Sequence, residues 1–237
     1  MKNTTFALGA AAILGASGVA SASFVGAVFD SYAVEVDGQS YAVIDAYIEF
    51  DSADDTVLNI FNVDITNVNG SAFHHNDFNT LSGSPGAWNV TGTANLPALG
   101  VVPDNDSFVS VGFTPGTGPG SAGNTTSLDP SFDPGTGGSI AFNAGWFNSN
   151  PPNLQGRADA DTLRTWVARF VIEGTDSAET LSFAFNMGYN QGLGTGAQFA
   201  YNDGATRGPE ILVDYVPAPG AIALLGLAGL AGRRRRN

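Results

Sequence analysis

The sequence predicts an all-β fold, an antiparallel β-sandwich or jelly roll with long loops rich in Gly, Pro and Asp. Many short segments alternate between apolar and polar residues, as strands with one buried face do. Turn-rich loops that use many of the 31 Gly and 12 Pro residues separate these segments. No long run shows the period of 3.6 residues typical of a helix. Together these patterns are typical of two packed antiparallel sheets.

The first three predicted strands form an antiparallel meander. Residues 31–36 and 41–50 flank Asp37-Gly38, a dipeptide that favours a hairpin turn, and residues 57–66 form the third strand. Alternation places one set of side chains in the core: Ala42, Ile44, Ala46, Ile48, Phe50, Val57, Phe61, Val63 and Ile65. The opposite face of the second strand is predicted to face solvent with Tyr41, Asp45 and Glu49.

Later strands are predicted where the alternation returns after turn-rich loops. They span residues 108–113, 139–147, 162–173, 181–187, 199–202 and 211–216. Two of them have predicted core stripes: Trp166, Ala168, Phe170 and Ile172 in one, and Leu181, Phe183, Phe185 and Met187 in the other. A single helical turn is predicted at residues 159–163. The connections at 114–138 and 148–161 are predicted surface loops.

The first 22 residues have the features of a secretory signal peptide. Lys2 supplies the positive charge, residues 6–15 form the apolar segment, and the small residues Ala20 and Ala22 mark the cleavage site. This pattern predicts Sec export, a signal helix at residues 1–22 and signal peptidase as a processing partner. The predicted mature domain, residues 23–216, is large enough to bury a core. The chain has no cysteine, which excludes disulfides and thiol chemistry.

The predicted mature domain is strongly acidic. All 22 acidic residues lie between Asp30 and Asp214, and the whole chain has a formal net charge of −13. The 9 basic residues include Lys2 and four arginines at the C-terminus, so the domain itself has no lysine. Its only basic residues are Arg157, Arg164, Arg169 and Arg207. Such a surface repels phosphate backbones, so nucleic acid is excluded as a partner.

Residues 217–237 form a tail with three parts in a fixed order. The tail follows Val216 and opens with a proline-containing motif: Pro217, Ala218, Pro219 and Gly220. An apolar run continues to residue 232 and is shorter than the roughly 17 residues that a membrane-spanning helix needs. Four arginines follow it: Arg233, Arg234, Arg235 and Arg236. This order predicts a short apolar helix that contacts a membrane transiently, with the arginines in the headgroup region.

This tail resembles the PEP-CTERM protein-sorting tail of Gram-negative bacteria, in its Val-Pro-Ala-Pro-Gly variant. The resemblance implies an exosortase-type membrane peptidase as a partner, which cuts near the proline motif. It also implies a location at the cell surface, in the outer envelope or in the extracellular matrix of bacteria that produce exopolysaccharide. The resemblance covers the tail alone, and Ala218 stands where the namesake motif has glutamate. That departure bears on which processing enzyme acts.

Calcium is the only cofactor that the sequence suggests. Asp51, Asp54 and Asp55 offer the hard oxygen ligands that calcium takes from loops, although their spacing does not match an EF-hand. Asp129 and Asp133 form a second, weaker pair. The alternative is that these residues only shape turns, because Asp side chains readily hydrogen-bond the nearby backbone.

His74 and His75 are the only histidines, and they are predicted to form a polar surface pair. Adjacent residues of a strand point to opposite faces, and zinc needs three or four converging ligands. No Gly-x-Ser-x-Gly motif accompanies them, which disfavours a serine hydrolase.

These features predict a non-enzymatic protein with a structural or adhesive role in the cell envelope or exopolysaccharide matrix. One alternative is a carbohydrate-binding module, calcium-dependent or not, which needs exposed aromatic side chains on one face. The candidates are Trp88, Trp146 and Trp166. A further alternative is a glycoside hydrolase or lyase, which needs two carboxylates across a cleft. The candidate acids are Glu49, Glu173, Glu179 and Glu210.

Overall fold

The computed structural model describes residues 24–70, 72–75, 88, 105–112, 124–129, 139–174, 179–192, 194–201 and 207–215. The strands are β1 Phe24–Val36, β2 Gln39–Phe50, β3 Thr56–Asn67, β4 Phe108–Val109, β5 Thr126–Leu128, β6 Trp146–Asn148, β7 Arg164–Glu173, β8 Glu179–Asn190, β9 Ala197–Ala200 and β10 Ile211–Tyr215. A 3-10 turn spans Pro151–Asn153. The predicted signal peptide, and the sorting tail together with Val216, lie outside the described residues.

The named strands form two sheets in which neighbouring strands run antiparallel. The first sheet has the order β1-β2-β7-β4, and the second has the order β10-β8-β3-β6-β5, with β9 also pairing β8. Buried side chains of both sheets belong to one hydrophobic core. The Phe183 ring of β8 lies 5.6 Å from the Phe29 ring of β1 and 5.8 Å from the Phe170 ring of β7. The prediction of an all-β, antiparallel fold is therefore confirmed.

The predicted three-strand meander is wrong, because β3 belongs to the second sheet. β1 and β2 pair across the Asp37-Gly38 turn as predicted. After the turn at residues 51–55, β3 pairs instead with β8 and β6. A backbone hydrogen bond of 2.9 Å from Val57 N to Gly156 O holds the chain where it crosses between sheets. Alternation within a segment cannot show which sheet the segment joins.

Both faces of β2 are buried, whereas the sequence predicts only one. The predicted inward residues are in the core. Tyr41 and Asp45, predicted to face solvent, are buried as well. β2 lies between β1 and β7, and Tyr41 and Val43 form a small second cluster with Val171 on the outer face. The His74 ring lies 4.7 Å from the Tyr41 ring, so a loop covers part of this face.

A β-bulge in β7 changes which of its residues face the core. The pairing passes from Ala46–Ala168 to Tyr47–Trp166, so Val167 is the extra residue. An extra residue reverses the alternation beyond the bulge. Val167 is therefore buried in the core, and Trp166, predicted to face inward, is half-buried and lies outside that core.

Irregular pairing of β3 with β8 has the same effect. The register shifts between Val57 and Asn59 and again between Phe61 and Asp64. Ile60 is consequently buried in the core. Phe61, predicted to face inward, is half-buried and contacts the exposed ring of Phe199 with 6.4 Å between ring centroids.

The other strands follow the sequence pattern to different extents. The predicted stripe of β8 is confirmed, because all its members are fully buried: Leu181, Phe183, Phe185 and Met187. β4 and β6 are shorter than predicted. The chain turns before β6 at Asn143, whose φ is +63°, and this leaves Phe142 exposed. The predicted helical turn at 159–163 is a single turn closed by Leu163 N donating to Asp159 O at 2.8 Å.

Candidate functional site

The outer face of the first sheet carries an open depression of about 410 Å³. Tyr47 of β2 and Trp166 and Arg169 of β7 line it, together with the loop before β7. We call it the outer-face pocket and define it by six side chains: Asp45, Tyr47, Arg157, Asp159, Arg164 and Trp166. Its volume is within the range of roughly 300–1,000 Å³ that is usual for small-molecule sites.

Two aromatic rings form one wall of the outer-face pocket. Tyr47 and Trp166 are cross-strand neighbours with 6.3 Å between ring centroids and 23° between ring planes. The indole N–H donates to the carbonyl of Ala168 at 2.8 Å. The Phe108 ring meets the indole edge-on at 5.1 Å, and the Arg169 guanidinium lies 4.8 Å from it. These contacts fix the indole in place, and the bulge at Val167 puts it on this face.

A buried ion pair forms the floor of the pocket. Arg169 donates from Nε to Asp45 Oδ1 at 2.7 Å and from Nη2 to Oδ2 at 2.9 Å. The Tyr32 hydroxyl donates to Asp45 Oδ2 at 2.9 Å and accepts from Arg169 Nη2 at 2.7 Å. The side chains of Asp45 and Arg169 are 5% and 12% exposed. This bidentate geometry is the strong form of an arginine–carboxylate pair.

Two arginines at the rim are also paired with carboxylates. Arg164 donates from Nε to Glu49 Oε2 at 3.2 Å, and its Nη1 lies 4.0 Å from Asp30. Arg157 donates from Nε to the carbonyl of Ala53 at 2.8 Å and from Nη2 to Asp54. These pairs are half-exposed or exposed, so each contributes little to stability.

Asp159 completes the rim as the cap of a tight turn. Its Oδ1 accepts from the Thr162 N–H at 2.9 Å, from the Thr162 hydroxyl at 3.0 Å and from the Asp161 N–H at 3.0 Å. These hydrogen bonds, those from Thr162 first, hold the pKa of Asp159 below its usual value. The Asp159 carboxylate is therefore ionised at neutral pH.

Several polar atoms of the rim retain hydrogen-bonding capacity. Within the described part of the chain, none of the following atoms makes a hydrogen bond: Tyr47 Oη, Arg157 Nη1, Arg164 Nη2 and Asp159 Oδ2. The set contains two guanidinium donors, one carboxylate acceptor and a hydroxyl that can do both. Beside an aromatic wall, such a set can bind a ligand that has both apolar faces and hydroxyl groups.

Alkaline pH is expected to destabilise the protein through Tyr32 and Tyr47. Burial raises the pKa of both hydroxyls above their ordinary value, and the negative charge of Asp45 raises it further. The unfolded chain releases these protons at about pH 10, whereas the folded chain keeps them. The free energy of unfolding should therefore be highest below about pH 10 and should fall as the pH rises above it.

Urea unfolding between about pH 8 and pH 11 measures this loss of stability. Tyr32→Phe is the matched variant, because phenylalanine cannot ionise. Its stability should fall less steeply with pH than that of the parent protein. An identical slope in both proteins would contradict the assignment to Tyr32.

The three predicted calcium ligands do not converge in this structure. Asp51 and Asp54 are exposed, Asp54 is paired with Arg157, and Asp55 is buried. In the described ranges, no three acidic or histidine side chains come together as a metal site. Asp129 is half-buried, and its predicted partner Asp133 lies outside the described residues. Calcium binding at residues 51–55 stays a prediction, which melting with calcium and with a chelator can test.

The two histidines are not the surface pair that the sequence predicts. His75 Nδ1 lies 3.3 Å from Asp106 Oδ1, and the His75 side chain is only 3% exposed. Its ring stacks on Trp88 at 5.1 Å with 10° between planes, while His74 packs on Tyr41. Their packing against aromatic rings explains why both are shielded.

The predicted carbohydrate-binding tryptophans have separate locations. Trp88 and Trp146 are buried, and the indole N–H of Trp146 donates to Ser110 O at 2.9 Å. Only Trp166 reaches the outer-face pocket. Of the candidate catalytic acids with described side chains, none lines the pocket. Glu49 pairs with Arg164, Glu173 is exposed and Glu210 accepts from Ser182, while the Glu179 side chain lies outside the described part.

Sequence reasoning missed five of the six residues that define the pocket, because only Trp166 was a binding candidate. The missed residues are Asp45, Tyr47, Arg157, Asp159 and Arg164. One sign of the pocket was the alternation in β2, because Tyr47 is two residues from Asp45 and therefore lies on the same face of the strand. Composition carried another. The described residues contain four arginines and no lysine, and three of those arginines line this one depression.

Within the described residues, no helix has the length and apolar character that crossing a bilayer requires. We compared the chain with protein-family models, with curated proteins and with solved structures, and none of them matches it.

Proposed function

We propose that this chain is an exported, surface-sorted protein with a structural or adhesive role in the cell envelope or exopolysaccharide matrix, and that it is not an enzyme. The sequence patterns in its first 22 residues and in its tail support the proposal. A signal-peptide pattern ending at Ala20 and Ala22 opens the chain, and a proline motif, an apolar run and four arginines close it. Signal peptidase and an exosortase-type peptidase are the proposed processing partners.

The described fold is compatible with such a role. We propose that the two antiparallel sheets form a β-sandwich or jelly roll over residues 23–216. Their shared core is dominated by aliphatic and aromatic side chains. Because the chain has no cysteine, this core needs no oxidising or reducing partner to form. The excess of acidic over basic residues in the domain favours solubility outside the cell.

Carbohydrate binding is the second candidate function, and the outer-face pocket favours it. Tyr47 and Trp166 provide a half-exposed aromatic wall there, beside unused hydrogen-bonding groups. The negative face of an aromatic ring attracts the slightly positive C–H groups of a sugar. This candidate is compatible with the first, because adhesion to a matrix requires a surface that binds it.

A glycoside hydrolase or lyase is not our proposal. Both carboxylates that line the pocket have structural partners: Asp45 is held by Arg169 and Tyr32, and Asp159 caps its turn. A general acid needs a raised pKa, whereas the pKa of Asp159 is lowered.

Mass spectrometry of the mature protein tests the proposal. In a host with an exosortase-type system, we expect a secreted form that begins at Ser23 or Phe24 and lacks Arg233 to Arg236. Replacing Pro217 and Pro219 by alanine should leave the tail attached. Recovery of the four arginines on the secreted parent protein would refute processing at this tail.

A further inference from the structure

We infer that the outer-face pocket binds a neutral saccharide, with Tyr47 and Trp166 as its stacking wall and Arg157, Arg164 and Asp159 as its hydroxyl-binding rim. This inference rests on the second candidate function and assigns it a site and a ligand class. Three properties of the pocket support it: its shape and aromatic wall, its unused hydrogen-bonding atoms, and its charge balance.

The aromatic wall is preorganised for stacking. The β2–β7 pairing holds Tyr47 and Trp166 as a nearly parallel pair, while the Phe108 ring meets the indole edge-on and the Arg169 guanidinium lies over it. A ligand therefore does not have to order these rings when it binds, which lowers the entropic cost of binding. The open shape of the depression suits a segment of a longer saccharide chain, because such a chain must enter and leave at its edges.

The rim offers donors and acceptors in the mixture that hydroxyl groups need. Each sugar hydroxyl both donates and accepts a hydrogen bond. Among the described residues, Arg157 Nη1 and Arg164 Nη2 have no acceptor and Asp159 Oδ2 has no donor, so these atoms can bind a ligand. Other atoms of the same side chains are already anchored to the protein, so the available atoms are held in position without being consumed.

Charge balance favours a neutral ligand over an acidic one. Each of the three arginines already has a carboxylate partner: Asp54 for Arg157, Glu49 for Arg164 and Asp45 for Arg169. The pocket therefore has no uncompensated positive charge with which to hold a uronate. The acidic surface around it repels polyanions at long range, whereas a neutral chain feels no such repulsion.

Isothermal titration calorimetry on the purified exported protein tests the inference. The probes are neutral gluco-, manno- and galacto-oligosaccharides and an oligogalacturonate of equal length. We expect saturable binding of at least one neutral oligosaccharide and no saturable binding of the oligogalacturonate. Tryptophan emission should shift to shorter wavelength, because Trp166 is the half-exposed indole and Trp88 and Trp146 are buried.

Variants locate the binding. Tyr47→Ala should weaken affinity about tenfold by removing half of the stacking wall. Asp159→Asn should weaken it several-fold, because it replaces the available acceptor oxygen but leaves an oxygen to cap the turn. Tyr47→Phe keeps the ring and removes only the hydroxyl, so it should weaken affinity less than Tyr47→Ala does. Phe199→Ala is the control. It removes an exposed ring of β9, in the second sheet, that does not line the pocket, so the affinity of this variant should equal that of the parent protein.

Three results would overturn the inference. The first is that no neutral probe binds saturably. The second is that folded Tyr47→Ala and Asp159→Asn variants bind with the same affinity as the parent protein. The third is that the oligogalacturonate binds more tightly than any neutral probe. None of them bears on export or tail processing, which mass spectrometry tests independently. A correctly processed protein that binds no neutral saccharide would thus refute this inference and leave the sorting proposal intact.

Discussion

Replacing Arg169 with leucine is expected to lower the free energy of unfolding by about 3–5 kcal/mol, because it leaves a buried carboxylate without its counter-ion. The Asp45 side chain is 5% exposed and receives two hydrogen bonds from the guanidinium. Leucine can donate neither of them. Among the described residues, the only other side-chain donor to this carboxylate is the Tyr32 hydroxyl, at 2.9 Å, and it cannot replace a positive charge. The aromatic rings of Phe108 and Trp166 also lose the cation that lies over them.

Urea unfolding of a double-mutant cycle measures this effect. The cycle uses Arg169→Leu, Asp45→Leu and the double variant, which should regain much of the lost stability because neither charge remains buried. Arg164→Leu is the matched control. It removes an arginine from the same face, but its pair with Glu49 is about one-third exposed, so the cost should stay within about 1 kcal/mol. Equal losses in the Arg169 and Arg164 variants would contradict the role of burial.

The sequence is sufficient to predict the parts of this fold that depend on local pattern. The stripe of Leu181, Phe183, Phe185 and Met187 lies in a strand whose alternation continues without interruption, and all four are buried. The Asp37-Gly38 turn needs left-handed backbone at both residues, and these have φ values of +52° and +79°. Both features are set by neighbouring residues, so single-sequence reasoning finds them.

Features that depend on residues far apart in the chain could not be predicted in this way. The sheet that β3 joins is fixed by its pairing with β8, for example Ile65 with Phe183, more than a hundred residues along the chain. The direction of Trp166 depends on the bulge at Val167, which exists only in the pairing of β7 with β2. Asp45 is buried although it is charged, because Arg169 arrives from another strand.

The outer-face pocket combines both kinds of feature. Alternation places Tyr47 beside Asp45 on the outer face, which the sequence alone implies. The approach of Arg157 and Asp159 depends on the loop before β7 folding back over the sheet. The acidic domain has only four arginines, and this scarcity was the one compositional sign that they have specific partners.

Gly156→Ala is expected to destabilise the protein by about 3 kcal/mol or more, because an added methyl group has no space. A Cβ at this position would lie 2.0 Å from the backbone oxygen of Val57 and 2.9 Å from Cγ1 of Val111. The Val57 backbone cannot easily withdraw, since its N–H donates to Gly156 O at 2.9 Å. The hydroxyl of Thr165 donates to the same oxygen at 3.1 Å, so a shift at Gly156 would also disturb the edge of the outer-face pocket.

Gly196→Ala is the matched control for this substitution. A Cβ at Gly196 meets no atom within 4 Å, and the residue is exposed just before β9. Its stability should change by no more than about 0.5 kcal/mol, or rise slightly because alanine restricts the unfolded chain. Urea unfolding of the two variants compares the same chemical change in a closed and an open environment. Equal losses of stability in the two variants would contradict the tight packing of Gly156 against Val57 and Val111; a large loss confined to Gly156→Ala is the expected result.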